Sequence, residues 1–181
     1  MLTSFRNRIG NYLLKRESAT VRRNLRMVNL THAKSIGIVY QLFDVPDYNQ
    51  VMEFVTQLQH DHKEVKALGF VQHKNLINRF LPKLSYDFFS LNNINWFNKP
   101  VSDRVQDFIS REFDLLIDLT LNEHLPLKYI VGLSKARCKV GRFSNENARY
   151  YDLMIKIQPM TALREYISQV KHYLTIIKTD E

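Results

Sequence analysis

The sequence predicts an α/β domain: a mostly parallel sheet of five or six strands with helices on both faces, preceded by a basic amphipathic helix. Three observations lead there. Short apolar runs alternate with helix-periodic stretches about five times, the pattern of strands joined by helical crossovers. Several runs are apolar on both faces, as strands covered by helices on both sides must be. The charge is also uneven. Residues 1–34 carry eight basic residues against Glu17 alone, a net +7, whereas the remaining 147 carry 18 basic against 17 acidic, a net +1. The expected organisation is a basic helical arm over 1–34 and an α/β domain over 35–181.

The arm reads as helix. Leu2, Phe5, Ile9, Leu13 and Arg16 follow steps of three and four, and the stripe resumes at Val21, Leu25 and Val28. Gly10 and residues 17–20 are weak points, so two helices are possible. Residues 35–43 form the first strand, and Asp44-Val45-Pro46-Asp47 breaks it. A helix follows, with Val51, Phe54, Val55 and Leu58 on one face. Residues 64–72 read as the second strand, 76–81 as a short helix ending at Pro82, and 85–91 as the third strand. A polar loop over 92–100 leads to a helix over 101–111, with Val101, Val105, Phe108 and Ile109 on one face. Residues 113–120 give strand four, 124–135 a helix and 138–142 strand five. Residues 151–157 alternate in part and suit an edge strand. The last helix starts near Thr161, with Leu163, Ile167, Val170, Leu174 and Ile177 in steps of four, three, four and three.

Composition excludes several classes. At 45% hydrophobic and 24% charged, 181 residues suffice for one domain with a true core, not a disordered chain or a fibre. No apolar run approaches the roughly 20 residues that cross a bilayer. The single cysteine, Cys138, forbids an intramolecular disulfide and suits a reducing compartment. It lies between Arg137 and Lys139, so it is either a thiolate activated by flanking cations or a small buried hydrophobe. The first 30 residues lack the apolar core of a secretory signal. They are Arg-rich and acid-poor, as mitochondrial transit peptides also are.

In open parallel sheets, ligands bind beyond the carboxyl ends of the strands. The candidates there are Gln41 and Asp44, then Gln72, His73 and Lys74, then Asn92, Asn93 and Asn95. After strand four come Asp118, Thr120, Asn122, Glu123 and His124, and after strand five Arg142, Ser144, Asn145 and Glu146. Residues 118–124 are the densest group. A carboxylate at a strand end beside a Glu-His pair suits acid–base work, or one metal. Alternatively, Asn122 caps a helix and Glu123 sits favourably at its N-terminus. In the 95–100 loop, Trp96 and Phe97 can stack a base, a sugar or a partner side chain, or pin the loop to the core.

Nucleotide signatures are missing. There is no Gly-x-Gly-x-x-Gly and no Walker-type loop, and the turn after strand one is acidic. No Gly-x-Ser-x-Gly elbow occurs. His60-Asp61-His62 is the one histidine cluster, and it suits a solvated loop. No metal and no cofactor are expected.

The stretch 113–119, followed by Leu127 and residues 133–143, is similar to the N-terminal half of heptosyltransferase-type (GT-B) glycosyltransferases, where a "YDLVIDL" strand leads through a helix to an "AKxRIGF" strand. The resemblance implies a single Rossmann-like three-layer sandwich and does not imply activity, because that family's donor-sugar site lies in a second domain. Taken whole, the chain resembles a small uncharacterised bacterial family, a domain of unknown function. The shared features are the basic N-terminal helix, the Asn95-Trp96-Phe97-x-Lys99-Pro100 loop and the Asp118-Leu119-x-Leu121-Asn122-Glu123 segment. That resemblance implies a bacterial cytoplasmic protein and brings no activity.

The expected function is therefore non-catalytic binding of RNA, ribosomal RNA included, or of another polyanion. Arg6, Arg8, Lys15, Arg16, Arg22, Arg23 and Arg26 would make the contacts, with Arg22, Arg23 and Arg26 sharing one helical neighbourhood. One alternative is a degenerate or partner-dependent glycosyltransferase-like enzyme using Gln41, Asp118, Asn122 and Glu123. Another is a peripheral protein whose arm lies on an anionic membrane surface.

Overall fold

The computed structural model describes residues 2–42, 44–73 and 84–179. The short helix expected over 76–81, together with Phe43 and Lys74, lies outside the described residues. Helix α1 spans Leu2–Ser18. The sheet consists of β1 (Ser35–Leu42), β2 (Glu64–Val71), β3 (Tyr86–Ser90), β4 (Leu115–Asp118), β5 (Cys138–Arg142) and β6 (Leu153–Ile155). It is parallel throughout, in the order β3-β2-β1-β4-β5-β6. This is the Rossmann-like order, and β6 is an edge strand as its partial alternation predicts.

The helices form two outer layers. Against one face lie α2 (Val45–His60) and α5 (Leu163–Ile176), whose Phe54, Val55, Tyr166 and Val170 pack on Ile36, Ile38 and Tyr40 of β1. Against the other lie α3 (Asp103–Ser110) and α4 (Leu125–Leu133), whose Phe108, Leu127 and Ile130 meet Val39, Leu68 and Phe89. β1 is buried on both faces, which is why its sequence is a continuous apolar run. Asp44 starts α2 by accepting the Asp47 N–H at 2.9 Å, so the acidic turn after β1 is a helix cap.

Two expectations for the arm need correction. The side of α1 turned inward is centred on Gly10 and Leu14, a residue away from the Phe5-Ile9-Leu13 stripe. Close contact decides this: Gly10 sits against the Phe97 carbonyl and Leu125, where a Cβ would collide. Leu14 enters the core beside α4. The second correction concerns residues 21–30, which are not helical. Their backbone bonds distant parts of the chain: the Arg26 N–H donates to the Arg137 carbonyl at 3.2 Å, and the Leu30 N–H to the Leu174 carbonyl at 2.7 Å. An i→i−4 ladder would forfeit both. Val28 is buried, so the apolar spacing there records a strap packed on the domain.

Candidate functional site

The order of strands reverses between β1 and β4, so the crevice of this fold opens at their carboxyl ends. Asp118 ends β4 there and is almost fully buried. Its Oδ1 accepts from the Thr120 N–H at 2.8 Å and the Thr120 hydroxyl at 2.6 Å, and its Oδ2 from the Tyr151 hydroxyl at 2.6 Å. Tyr166 donates to the Asp118 carbonyl at 2.9 Å. Burial pushes the Asp118 carboxyl pKa up, while the Thr120 and Tyr151 bonds and the nearby Arg142 oppose the rise.

Glu123 stands at the rim. It accepts from Ser144 at 3.0 Å and Asn147 at 2.8 Å, and pairs with Lys128 at 3.3 Å. Burial would raise its carboxyl pKa, but Lys128 and these donors hold it below the usual value. His124 precedes α4, and burial lowers its pKa. Asn122 lines the same cleft.

The structure therefore brings Asp118, Asn122, Glu123 and His124 together, and leaves Gln41 out. Gln41 is buried and donates to Gln72 at 3.2 Å, away from that cleft. Both carboxylates are held by their own chain. The space between them admits only about one water-sized group. What the cluster does chemically is tie the end of β4 to the segment before β6.

Tyr151 is the residue that sequence reasoning missed here, read only as the start of a strand. Its ring lies over Gly141, where any side chain would collide with it. A glycine inside a strand is the signal that could have found it. Cys138 is fully buried and faces Met27, with the two sulfurs 4.0 Å apart.

The 95–100 loop is the seat of α1. Asn95 Oδ1 accepts from the N–H groups of Phe97 and Lys99, which sets the turn. Arg6 Nε donates to the Trp96 carbonyl at 2.6 Å, and the Arg6 guanidinium carbon lies 5.9 Å from the Trp96 ring centre. Asn98 donates to Asn7 at 2.7 Å, and Lys99 pairs with Glu17 at 2.6 Å. Phe5 meets Trp96 edge-on at 6.4 Å, leaving Trp96 51% exposed.

The seven candidate cations divide. Arg6 is taken by that loop. Arg23 lies in the irregular segment after α1 and holds Asp152 with both Nη groups, at 2.5 and 2.8 Å. Arg8, Lys15, Arg16, Arg22 and Arg26 are exposed. No helix joins Arg22, Arg23 and Arg26.

A family model matches residues 3–177: the family of unknown function DUF6913. The chain belongs to that family. No curated protein matches this DUF6913 member. Among solved structures, the E. coli heptosyltransferase WaaC with ADP is similar at a TM-score of 0.50 and 11% identity. The likeness covers 79% of this chain and 48% of that one, so the DUF6913 chain spans about half the length of the structure it matches. Such a likeness shows the Rossmann-like fold alone. Among the described residues, no helix is long and apolar enough to cross a membrane.

Proposed function

We propose that this chain is a non-catalytic binding protein that grips RNA phosphates through the outward face of α1 and the irregular segment after it, in a reducing bacterial cytoplasm. One observation carries the reading. α1 docks through Gly10 and Leu14, which leaves Arg8, Lys15 and Arg16 exposed around Tyr12, itself 66% exposed. These cations stand three and four positions from Tyr12, so they share its side of the helix. Cations interleaved with an exposed aromatic suit a single strand, whose phosphates meet the charges while a base stacks on the ring. Arg22 extends the row. The transferase alternative has no comparable support, since the Asp118 cleft leaves no room for a sugar nucleotide.

The test is fluorescence anisotropy of full-length protein with a labelled mixed-sequence RNA oligonucleotide across a salt titration. With about five phosphates contacted, log K should fall by roughly 3 to 4 per decade of salt. Replacing Arg8, Lys15, Arg16 and Arg22 together by Gln should abolish binding, and Tyr12→Ala should weaken it about tenfold at unchanged salt slope. A flat salt dependence overturns the reading. So does tight binding to anionic vesicles with none to RNA, which would make the arm a membrane-surface element.

A further inference from the structure

Lys139 is the charged group that neither the fold nor the proposed function uses. It lies on β5 between Cys138 and Val140, which face α2 and α5, so its side chain points the other way, towards α4 and α1. It is only 3% exposed. Among the described residues its ammonium makes no hydrogen bond and no ion pair. The nearby carboxylate, Asp152, is already engaged by Arg23 and by the backbone N–H of Lys139 itself, at 2.8 Å. Burial, with Arg23 adding to it and Asp152 opposing, lowers the Lys139 pKa to about 7.

Lys139 lines a pocket of about 190 Å³ behind β5. Lys15 and Ser18 of α1, Arg23, Arg149 and Tyr150 also line it, and no carboxylate does. Of the four cations on this space Arg23 is neutralised by Asp152, while Lys15, Lys139 and Arg149 meet no carboxylate among the lining residues. A fold that needed only a filled core would place a hydrophobe at Lys139, because burying an unpaired ammonium is costly.

We infer that this pocket binds a phosphate group, with Lys139 at its floor and Lys15, Arg23 and Arg149 around its mouth. The charge selects the ligand class. A carboxylate would offset one of the three cations without a carboxylate partner, whereas a phosphate brings up to two charges and three acceptor oxygens. The size selects it too. The volume is below the roughly 300–1,000 Å³ of pockets that enclose whole drug-sized molecules, so the phosphate enters and the rest of any larger molecule stays outside. The inference does not rest on RNA binding: Lys15 alone is common to both, and Arg8, Arg16, Arg22 and Tyr12 do not line this pocket.

Calorimetric titration of full-length protein with inorganic phosphate, and separately with phenyl phosphate, tests it at constant ionic strength with chloride as control. Saturable binding at millimolar concentration or tighter is expected. Inorganic phosphate alone binding would mark a free-ion site, and phenyl phosphate binding as well would mark a site for a phosphorylated molecule. Either supports the inference. Lys139→Met should weaken binding at least about tenfold, the usual effect of losing a charge-assisted hydrogen bond. Exposed Arg149→Gln should weaken it less, which keeps the test valid if Lys139→Met misfolds. No binding of either probe, or affinity unchanged in both variants, overturns the inference. Should phosphate fail while RNA still binds, only this inference falls.

Discussion

The hydroxyl of Tyr129 donates to the backbone carbonyl of Gly10 at 2.7 Å, across the seam where α1 crosses α4. Burial raises the phenol pKa, so Tyr129 remains a donor at every pH the protein meets. The bond forms because Gly10 lacks a side chain and the two backbones come close.

Gly10→Ala therefore runs against helix propensity. In a solvated helix the change would stabilise by about 1 kcal/mol. Here the new methyl collides with the Phe97 carbonyl and lies 2.7 Å from Leu125 Cδ2. Thermal denaturation should show a lower Tm for Gly10→Ala. Tyr129→Phe should cost about 1 kcal/mol, the net worth of one hydrogen bond. A Tm raised by Gly10→Ala would mean that α1 is not docked as described.

At Asp118, geometry matters more than charge. Burial lifts its folded pKa above the unfolded value of about 3.8. Its contribution is thus fully present below the unfolded pKa and declines as pH rises through the folded one. Asp118→Asn keeps an acceptor for Thr120 and supplies a donor for the Tyr151 oxygen. Its Tm at pH 7 should equal or exceed that of the wild type. Asp118→Ala strands the Tyr151 hydroxyl and should cost about 2–4 kcal/mol. Equal losses in both variants would show that the carboxylate charge itself is needed.

Lys139 should lower stability in phosphate-free buffer. Its folded pKa of about 7 lies below the unfolded 10.5, so the unfolded chain binds more protons between these values. Stability from this group falls as pH drops from about 10.5 to 7, then levels off. The charges facing it are Lys15, Arg23 and Arg149, with Asp152 opposed. Lys139→Met should raise Tm, and its advantage over wild type should be larger at pH 7 than at pH 10. A Lys139→Met protein less stable at both values would contradict this.

The Arg23–Asp152 pair should respond asymmetrically. Both side chains are mostly buried, at 19% and 10% exposure. Asp152→Ala leaves Arg23 uncompensated and strips an acceptor from the Lys139 N–H, so a loss of about 3–5 kcal/mol is expected. Arg23→Met should cost less, because Asp152 keeps that N–H. Chemical denaturation of the two variants gives the comparison.

Local pattern carried most of the fold. The stripe of α5 and the two-sided apolar run of β1 place themselves, because their periods follow from packing on a sheet. The failures share a cause: partners distant in sequence. Residues 21–30 keep helix-like apolar spacing, yet their backbone bonds go to residues 137 and 174. Gly10 reads as a weak point in a helix but is its closest contact. The candidate site was half legible. Residues 118–124 do converge, whereas Tyr151 and Lys139 act through neighbours that no local window contains.

The strap over 21–30 also imposes an order on synthesis. Its anchors, the carbonyls of Arg137 and Leu174, are made long after the strap itself. The nascent strap thus leaves the ribosome before the carbonyls it binds. Arg23 meets its carboxylate only after residue 152 emerges, and α1 completes its docking only when Leu125 and Tyr129 of α4 have followed the 95–100 loop. For most of translation every cation of the arm is unshielded, within reach of whatever polyanion lies at the tunnel exit.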